Sequence, residues 1–356
     1  MKIISIVGAR PQFIKCAALT RELGTEYSQI IVHTGQHYDF DLSGVFFDQL
    51  NIPKPEYNLG VGSGTHGYQI GQTLIAAEEV LSKEKPDLTL VYGDTNSTLA
   101  GALAASRLHI PLGHIEAGIR TGDKKYPEEI NRTLTDHCSD LLFCSTKASV
   151  NCLNNENISS GVYLTGDVMV DILLRLKAVA EKSSILQDLN LTSKQYLLVT
   201  IHRPDSTDES ENLKNIVDAL CQIDQTIVFA AHPRTVDALR RDGLYNKISE
   251  HKKIKLVKPL GYLELIRLMS DARKVITDSG GMQKEAYVLK VPCVTMCDVS
   301  VWPETVEDGW NVLVGTDTQK IVDMARNFEP TGEQKEDFGK GEACKNIKKI
   351  IDSMWK

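Results

Sequence analysis

The chain has 356 residues and a formal net charge of −7. A chain of this length is expected to form two domains, each large enough to bury an apolar core. The negative charge excludes a global positive field that would collect nucleic acid or an anionic membrane, so an anionic ligand must be held by locally placed cations.

The N-terminal sequence MKIISIVGARPQ contains an apolar run of only five residues before Gly8. This run is too short for the core of a signal peptide or for a membrane span, so we expect a cytoplasmic protein. Eight cysteines are scattered along the chain without a CxxC pair, and most lie in apolar runs. We expect them to be buried, reduced thiols rather than disulfides.

Short apolar runs alternate with longer amphipathic segments through the first half of the chain. The runs are KIISIVG, QIIVHTG, LTLVYGD, PLGHIEA, LLFCST and VYLTGD. A segment without a strand starts at Asp167 and leads to a second series, which reads YLLVTIH, TIVFAAH, IKLVKP, KVITDS and PCVTMC. Strands of this length between helical patterns predict repeated strand-helix units and parallel sheets.

The predicted architecture is therefore α/β, with two Rossmann-like doubly wound domains that face a central cleft. The expected limits are 1–166 for the first domain and 167–340 for the second. A final helix is expected at 341–356, and packing on the first domain is one option for it.

Polar residues or glycine follow many of the predicted strands, in the segments VGARPQ, HTGQH, GDTNST, HIEAG, TIHRPD, AAHPR and TDSGG. Open parallel sheets bind ligands at the carboxyl ends of their strands. We therefore expect one large site in the cleft between two such edges.

Two strand-to-helix turns are suited to phosphate groups. GARPQFIK opens a helix after the first strand, and Arg10 and Lys15 add cations to the backbone amides of the helix N-terminus. ITDSGGMQKEA repeats the arrangement in the second series. There a diphosphate and a ribose hydroxyl would be met by Ser279, Gly280, Gly281 and Glu285. One anion site in each domain suggests a nucleotide diphosphate that bridges the cleft.

Acid-base candidates lie at or just beyond several strand ends. A carboxylate or imidazole in such a place is suited to proton transfer, although each one alone could be a helix cap or a solvated charge. The candidates are Asp94, Glu116, Glu128 and His202. Arg120 and Arg132 could hold these carboxylates or the ligand.

Two further patterns match known binding motifs but lie in contexts that disfavour those functions. GSGTHG, from Gly62 to Gly67, matches the dinucleotide fingerprint, but it follows a proline-containing coil instead of a buried strand. His33 and His37 are four residues apart, a metal-ligand spacing only within a helix, and they stand at a strand end. We expect neither a nicotinamide cofactor nor a metal.

Segments along nearly the whole chain resemble the signature segments of the non-hydrolysing UDP-N-acetylglucosamine 2-epimerases, in the same order. They are GARPQFIK, HTGQHYD, VYGDTNSTLAGALAA, HIEAGIRTGDKKYPEEINR, TIHRP, TDSGGMQKEAY and ETVEDGWNVLVG. The resemblance implies two Rossmann-like domains in the glycosyltransferase-B arrangement, with UDP in the cleft. It also implies interconversion of UDP-N-acetylglucosamine and UDP-N-acetylmannosamine without a cofactor, a homodimer, and a role in polysaccharide biosynthesis.

The resemblance carries roles onto individual residues. It puts Asp94, Glu116 and Glu128 among the reacting carboxylates, and His202 near the diphosphate as an acid or charge stabiliser. Ligand contacts are implied for Arg10, Lys15, Arg132 and His232, with Ser279, Gly280 and Gly281 on the phosphates and Glu285 on the ribose. Which carboxylate is the acid and which the base stays open.

Parts of the chain depart from the family's pattern. The family's HRxEN segment reads HRPDS here, and its RDxTE segment reads CDVSV, with Cys297 and Val301 in place of an arginine and a glutamate. Asp39 stands where substrate-activated members carry a second glutamine, so an allosteric site is an open question.

The sequence is also compatible with a second sugar substrate and with other classes of protein. The segments HTGQHYD, FFDQLNIPKPEY and GTHG resemble epimerases of UDP-2,3-diacetamido-2,3-dideoxyglucuronate. Lys124 or Lys125 could supply the extra cation that a uronate needs. The remaining alternatives are a hydrolysing epimerase, a glycosyltransferase of the same fold and a non-catalytic sensor of UDP-sugars.

Overall fold

The computed structural model describes residues 1–35 and 54–354. Internal contacts divide the chain into two compact units. The first unit is Met1–Leu174 with Glu336–Lys356, and the second unit is Arg175–Lys335. The chain thus divides inside a helix that begins at Val168 and again after Lys335, whereas the sequence pattern predicts limits at 166 and 340.

The first unit contains one parallel sheet. Its strands are β1 (Lys2–Val7), β2 (Ser28–His33), β3 (Tyr57–Asn58), β4 (Leu88–Tyr92), β5 (Leu112–Ala117), β6 (Leu141–Cys144) and β7 (Val162–Leu164). Its helices are α1 (Arg10–Leu23), α2 (His66–Glu84), α3 (Asn96–Arg107), α4 (Pro127–Cys138) and α5 (Lys147–Asn155), and α6 (Val168–Ala180) leads into the second unit. The strand order in the described residues is β3-β2-β1-β4-β5-β6-β7.

The second unit contains a second parallel sheet. Its strands are β8 (Tyr196–Thr200), β9 (Thr226–Ala230), β10 (Ile254–Val257), β11 (Lys274–Thr277), β12 (Cys293–Thr295) and β13 (Asn311–Leu313), in the order β10-β9-β8-β11-β12-β13. Its helices are α7 (Ile185–Asp188), α8 (Pro204–Thr207), α9 (Ser210–Gln222), α10 (Pro233–Arg241), α11 (Tyr245–Ser249), α12 (Tyr262–Asp271), α13 (Gly280–Val288), α14 (Pro303–Glu307) and α15 (Thr318–Asn327). The last helix, α16 (Ala343–Met354), belongs to the first unit.

The predicted α/β fold with two doubly wound parallel sheets is confirmed. Every apolar run named in the sequence is a strand, because a strand covered on both faces of a parallel sheet needs a continuous apolar run. All five residues of β4 and all five of β8 are buried. The sequence pattern did not indicate β3 or β13, which are only two and three residues long and lie at sheet edges.

The strand order reverses once in each sheet. In the first unit the reversal lies between β1 and β4, which pair in parallel, and in the second unit it lies between β8 and β11. At such a point the connections leave the two strands in opposite directions, which opens a crevice at their carboxyl ends. Each unit therefore has the strand arrangement at which open parallel sheets bind ligands.

Helix α16 packs against α1 of the first unit. Lys348 pairs with Glu26 at 2.7 Å, and the Tyr27 hydroxyl donates to Asp352. Ile347 and Ile351, one turn apart, are fully buried, so the helix contributes an apolar stripe to the first unit. Among the described residues, no helix combines the length and the apolar character needed to cross a membrane.

Candidate functional site

Gln12 joins the turns that follow β1 and β4. Its buried Oε1 accepts hydrogen bonds from the backbone N–H groups of Gly8 (2.7 Å) and Ala9 (3.0 Å). Its Nε2 donates to the carbonyl of Tyr92 at 2.6 Å. One buried amide therefore fixes the entry to α1 relative to the turn that carries Asp94, at the reversal of strand order.

Lys15 and Glu116 form an ion pair near the carboxyl end of β5, with side chains 8% and 11% exposed. A Cβ added to Gly93 would lie 3.5 Å from Lys15 Nζ and 3.7 Å from Glu116 Oε2, so the pair lies against the turn that leads to Asp94. Glu116 has a φ of +73°. This left-handed conformation costs a non-glycine residue about 1–3 kcal/mol, and such strain is concentrated at functional sites.

Arg132, on α4, places a buried guanidinium near Asp94. Its Nε lies 3.7 Å from Asp94 Oδ2 and 3.9 Å from Glu129 Oε2. These distances are too long for hydrogen bonds, so both attractions are electrostatic. The same Nε donates to the backbone carbonyl of Glu128 at 3.2 Å, while the Glu128 side chain is exposed. Arg10, the first residue of α1, is half-buried.

The second unit places two histidines after β8 and β9. The ring centroids of His202 and His232 are 6.2 Å apart. Asp278, fully buried after β11, accepts from the backbone N–H groups of His202 (2.9 Å) and Arg203 (2.8 Å), and it lies 3.5 Å from His202 Nδ1. His232 Nδ1 accepts from the backbone N–H of Arg234 at 3.2 Å, so the hydrogen of a neutral His232 ring is on Nε2.

The expected phosphate turn is the N-terminus of α13. Ser279 caps this helix, and its Oγ accepts from the backbone N–H of Met282 at 3.4 Å. Gly280 begins the helix, and its carbonyl accepts from the Trp302 indole at 3.0 Å. The first turn of a helix carries N–H groups without intrahelical acceptors, which suits Gly280 and Gly281 to phosphate oxygens.

Glu285 lies on α13 with 7% of its surface exposed. Its Oε1 accepts from the Tyr262 hydroxyl at 2.6 Å. A carboxylate offers about four acceptor positions, so Glu285 can also accept from a ribose hydroxyl. Lys284 beside it is buried, with its ammonium 4.3 Å from the centre of the Trp302 ring.

Comparison with known proteins connects this geometry to a family. The family model described as UDP-N-acetylglucosamine 2-epimerase matches residues 21–352 of the chain. The chain belongs to the UDP-N-acetylglucosamine 2-epimerase family. This is a family of isomerases, and the resemblance seen in the sequence is confirmed.

The names of the relatives of this epimerase-family chain refer to two different UDP-sugars. A UDP-N-acetylglucosamine 2-epimerase homolog of Methanococcus maripaludis is 51% identical over 99% of this chain and 100% of the relative. The UDP-2,3-diacetamido-2,3-dideoxy-D-glucuronate 2-epimerase of Pseudomonas aeruginosa is 44% identical over 99% of this chain and 100% of the relative. The crystal structure of the Methanocaldococcus jannaschii UDP-GlcNAc 2-epimerase in complex with UDP-GlcNAc and UDP has a TM-score of 0.92 and 43% identity, and covers 99% of this chain and 100% of that one.

The predicted residues of the epimerase chain are divided between its two units, and contacts join Lys15 to Glu116, Arg132 to Asp94, and His202 to His232. Those in the first unit are Arg10, Lys15, Asp94, Glu116, Glu128 and Arg132, and those in the second are His202, His232, Ser279, Gly280, Gly281 and Glu285. Arg120 does not join them. Its guanidinium pairs with Asp136 at 2.7 Å and Glu156 at 2.7 Å.

Sequence reasoning missed several polar residues that support both groups. Asp278 precedes Ser279 and looks like an ordinary cap, and Glu129 follows Glu128 without any distinguishing signal. Glu129 is buried, and it accepts from the backbone N–H groups of Thr121 and Gly122 at 2.9 Å each. Burial opposes ionisation of Glu129, but these hydrogen bonds outweigh it and lower its pKa.

The structure shows the surroundings of His33 and of the segment GSGTHG, the two patterns that the sequence disfavours as binding sites. The His33 ring packs edge-on against Phe13, with centroids 4.9 Å apart, and His37 lies outside the described residues. Residues 59–65 separate the two-residue strand β3 from α2, so GSGTHG does not follow a buried strand directly. In residues 1–35 and 54–354, no three His, Cys, Asp or Glu side chains are grouped to hold a metal. The eight cysteines are free thiols, but the expected burial holds for only four of them, Cys16, Cys144, Cys293 and Cys344, and the other four are half-buried.

We expect Asp136 to make the stability of the first unit depend on pH. Burial opposes its ionisation, but His114 and then Arg120 outweigh burial and lower its pKa. A carboxyl group with a lowered folded-state pKa stabilises the fold fully above its unfolded pKa, and this contribution is lost as pH falls through the folded pKa. We therefore expect the free energy of unfolding to fall below about pH 4.

The measurement is urea unfolding followed by circular dichroism at several pH values. Asp136→Asn is expected to be less stable than the wild type at neutral pH, with a weaker dependence of stability on acid. Asp237→Asn, which changes an exposed carboxyl group on α10, should keep the wild-type profile. Equal acid dependence in wild type and Asp136→Asn would contradict the prediction.

Proposed function

We propose that the protein interconverts UDP-N-acetylglucosamine and UDP-N-acetylmannosamine by elimination and re-addition of UDP. The observation that carries the proposal is the buried pair of Lys15 and Glu116 against the turn that leads to Asp94. A carboxylate held in place beside a cation, at the reversal point of a parallel sheet, is suited to proton transfer.

The C2 hydrogen of the sugar is not acidic, so inversion at C2 needs an intermediate. Cleavage of the bond between C1 and the diphosphate oxygen leaves an oxocarbenium-like centre, and the electron pair departs with UDP. A carboxylate then removes the C2 proton, whose bonding electrons form the C1–C2 double bond of 2-acetamidoglucal. Protonation at C2 on the opposite face and return of UDP to C1 give the epimer.

The carboxylates of the first unit take the proton-transfer role in this proposal. Glu116, Asp94 and Glu128 are the candidates for acid and base, and Arg132 holds an anionic part of the ligand. The attraction of Arg132 to Asp94 at 3.7 Å supports this assignment because it orients both side chains. Comparison of the Glu116→Gln, Glu128→Gln and Asp94→Asn variants would decide which of the three carboxylates is the acid and which is the base.

The second unit takes the UDP role. The N-terminus of α13, with Ser279, Gly280 and Gly281, binds the diphosphate, and Glu285 accepts from the ribose. His202 and His232 stabilise the charge that develops on departing UDP. The buried Asp278 supports this role because it fixes the backbone of His202 through a 2.9 Å hydrogen bond.

A second substrate has its own support. The P. aeruginosa relative named for the diacetamido glucuronate is 44% identical over 99% of the chain. Lys124 and Lys125 are exposed between Glu116 and Glu128, where a cation could meet the uronate carboxylate. The homodimer, the cytoplasmic location and the role in polysaccharide biosynthesis stay predictions.

The test is proton NMR of the protein with UDP-N-acetylglucosamine in heavy water and, separately, with the diacetamido uronate. We expect the UDP-N-acetylmannosamine signals to appear while the H2 signal of the sugar disappears, since C2 takes deuterium from solvent. Epimerisation without deuterium uptake would contradict the elimination route. Turnover of the uronate alone selects the second substrate, free sugar as the main product selects a hydrolysing enzyme, and binding without turnover selects a sensor. Transfer of the sugar to an added acceptor would select a glycosyltransferase.

A further inference from the structure

His114 contacts the turn that leads to Asp94, and it is not among the residues that the proposed reaction uses. It is on β5, two residues before Glu116, and is fully buried. Its Nδ1 is 2.6 Å from Asp136 Oδ1, and its Nε2 is 2.7 Å from the carbonyl oxygen of Gly93. One ring therefore links α4 to the turn after β4.

The same network reaches the turn that carries Asp94 and the turn that follows Glu116 at the end of β5. Gly93 directly precedes Asp94, so the bond from His114 Nε2 fixes the start of that turn. The second oxygen of Asp136 accepts from the Gly118 N–H at 3.1 Å, two residues beyond Glu116. Arg120 donates to that oxygen at 2.7 Å and holds the carboxylate from the other side.

The acceptors around the ring determine its hydrogens. A carbonyl oxygen only accepts, so Nε2 must carry a hydrogen toward Gly93. An ionised carboxylate also only accepts, so Nδ1 carries a second hydrogen toward Asp136. The Arg120 guanidinium, 2.7 Å from Asp136 Oδ2, favours the carboxylate form. On this geometry both ring nitrogens act as donors, Nδ1 to Asp136 and Nε2 to Gly93.

The strained backbone at Glu116 needs such a network. A positive φ at a non-glycine residue persists only where the surroundings over-determine it. The register between β5 and β6 shifts between Ile115 and Ala117, so sheet pairing does not hold Glu116 itself. The Gly118 N–H donates to Asp136 two residues beyond Glu116, and Lys15 pairs with the Glu116 side chain itself.

We propose that His114 is a positioning residue, which holds the turns of Asp94 and Glu116 in register by donating one ring hydrogen to Asp136 and the other to Gly93. The role rests on the proposed function, because it places the carboxylates that the epimerisation would use. His114 itself touches neither substrate nor reacting atoms in this proposal.

Two variants each keep one half of the link. Asparagine places its amide nitrogen near the Nδ1 position and can donate to Asp136 only, whereas glutamine reaches the Nε2 position and can donate to Gly93 only. We expect His114→Asn and His114→Gln each to lower kcat about 100-fold, the effect of a displaced catalytic group. KM should change less than about threefold, since the proposed diphosphate contacts at the N-terminus of α13 and the ribose contact of Glu285 are in the second unit.

Matched controls and direct measurements separate positioning from simple loss of structure. His109→Asn makes the same change at an exposed histidine with a φ of +55°, which asparagine accepts, and should keep wild-type kcat. Nitrogen-15 NMR of the wild-type His114 ring should show a hydrogen on both nitrogens. Hydrogen exchange at Glu116–Gly118 should be faster in both His114 variants than in the wild type.

The outcomes distinguish the two proposals. A wild type that epimerises neither UDP-sugar contradicts the proposed function and, with it, this role. An active wild type with near wild-type kcat in both His114 variants contradicts the role of His114 alone. If the variants do not fold, the wild-type ring spectrum decides, and a ring nitrogen without hydrogen overturns the proposal.

Discussion

The Glu116→Gln variant is expected to lose epimerisation by about 1000-fold or more, within the range that general acid-base groups contribute. Glutamine keeps the shape of the side chain and its fit beside Lys15, but it cannot take a proton from C2. It also removes the negative charge that would stabilise an oxocarbenium-like centre. The loss should therefore appear in kcat, while the affinity for UDP is unchanged.

The assay follows both sugar conversion and deuterium uptake at C2. Glu78→Gln, the same change at an exposed glutamate on α2, should retain wild-type rates. Glu128→Gln and Asp94→Asn in the same assay would separate the carboxylates, because loss of the base stops exchange into one epimer and loss of the acid stops exchange into the other. If the Glu116→Gln protein keeps more than about a tenth of the wild-type kcat, Glu116 does not transfer the C2 proton.

The Gly118→Ala variant is expected to lose at least about 3 kcal/mol of stability, through a strained backbone and a steric clash together. Gly118 has a φ of +80°. A Cβ there would lie 2.4 Å from the carbonyl oxygen of Ser149 and 3.1 Å from Leu153 Cγ. The Ser149 carbonyl belongs to the backbone of α5, so the contact can be relieved only by moving the helix away from the turn after β5.

Gly122→Ala supplies a matched control, since Gly122 has a similar φ of +77°. A Cβ at Gly122 would lie in open space among the described residues. This variant should lose only the conformational cost, about 1–2 kcal/mol. The difference between the two variants in urea unfolding isolates the clash with α5. Equal losses of stability in the two variants would show that α5 does not press against Gly118 in the turn after β5.

The strands and the turns that follow them could be read from the chain because both are local signals. The run LTLVYGD predicts a buried strand that is followed by Asp94. The segment TDSGG likewise predicts the N-terminus of α13. Such signals depend on a few consecutive residues, so they survive without any knowledge of which strands are neighbours.

The pairing of charges could not be read in the same way. Arg120 and Arg132 look alike in the segment HIEAGIRTGDKKYPEEINR, yet Arg120 is bound to Asp136 and Glu156 while Arg132 reaches toward Asp94. The difference follows from where β4 and β5 bring their ends, which depends on the strand order. Local sequence carries no record of that order.

The sequence by itself determined the family, the α/β class and the set of strand-end residues from which the site is built, because apolar periodicity and turn chemistry are properties of short segments. Only the tertiary structure decided that Lys15 pairs with Glu116, that Glu116 adopts a strained backbone and that His114 ties two turns together. Those facts arise where strands distant in the chain end side by side, and burial there strengthens each hydrogen bond and charge pair.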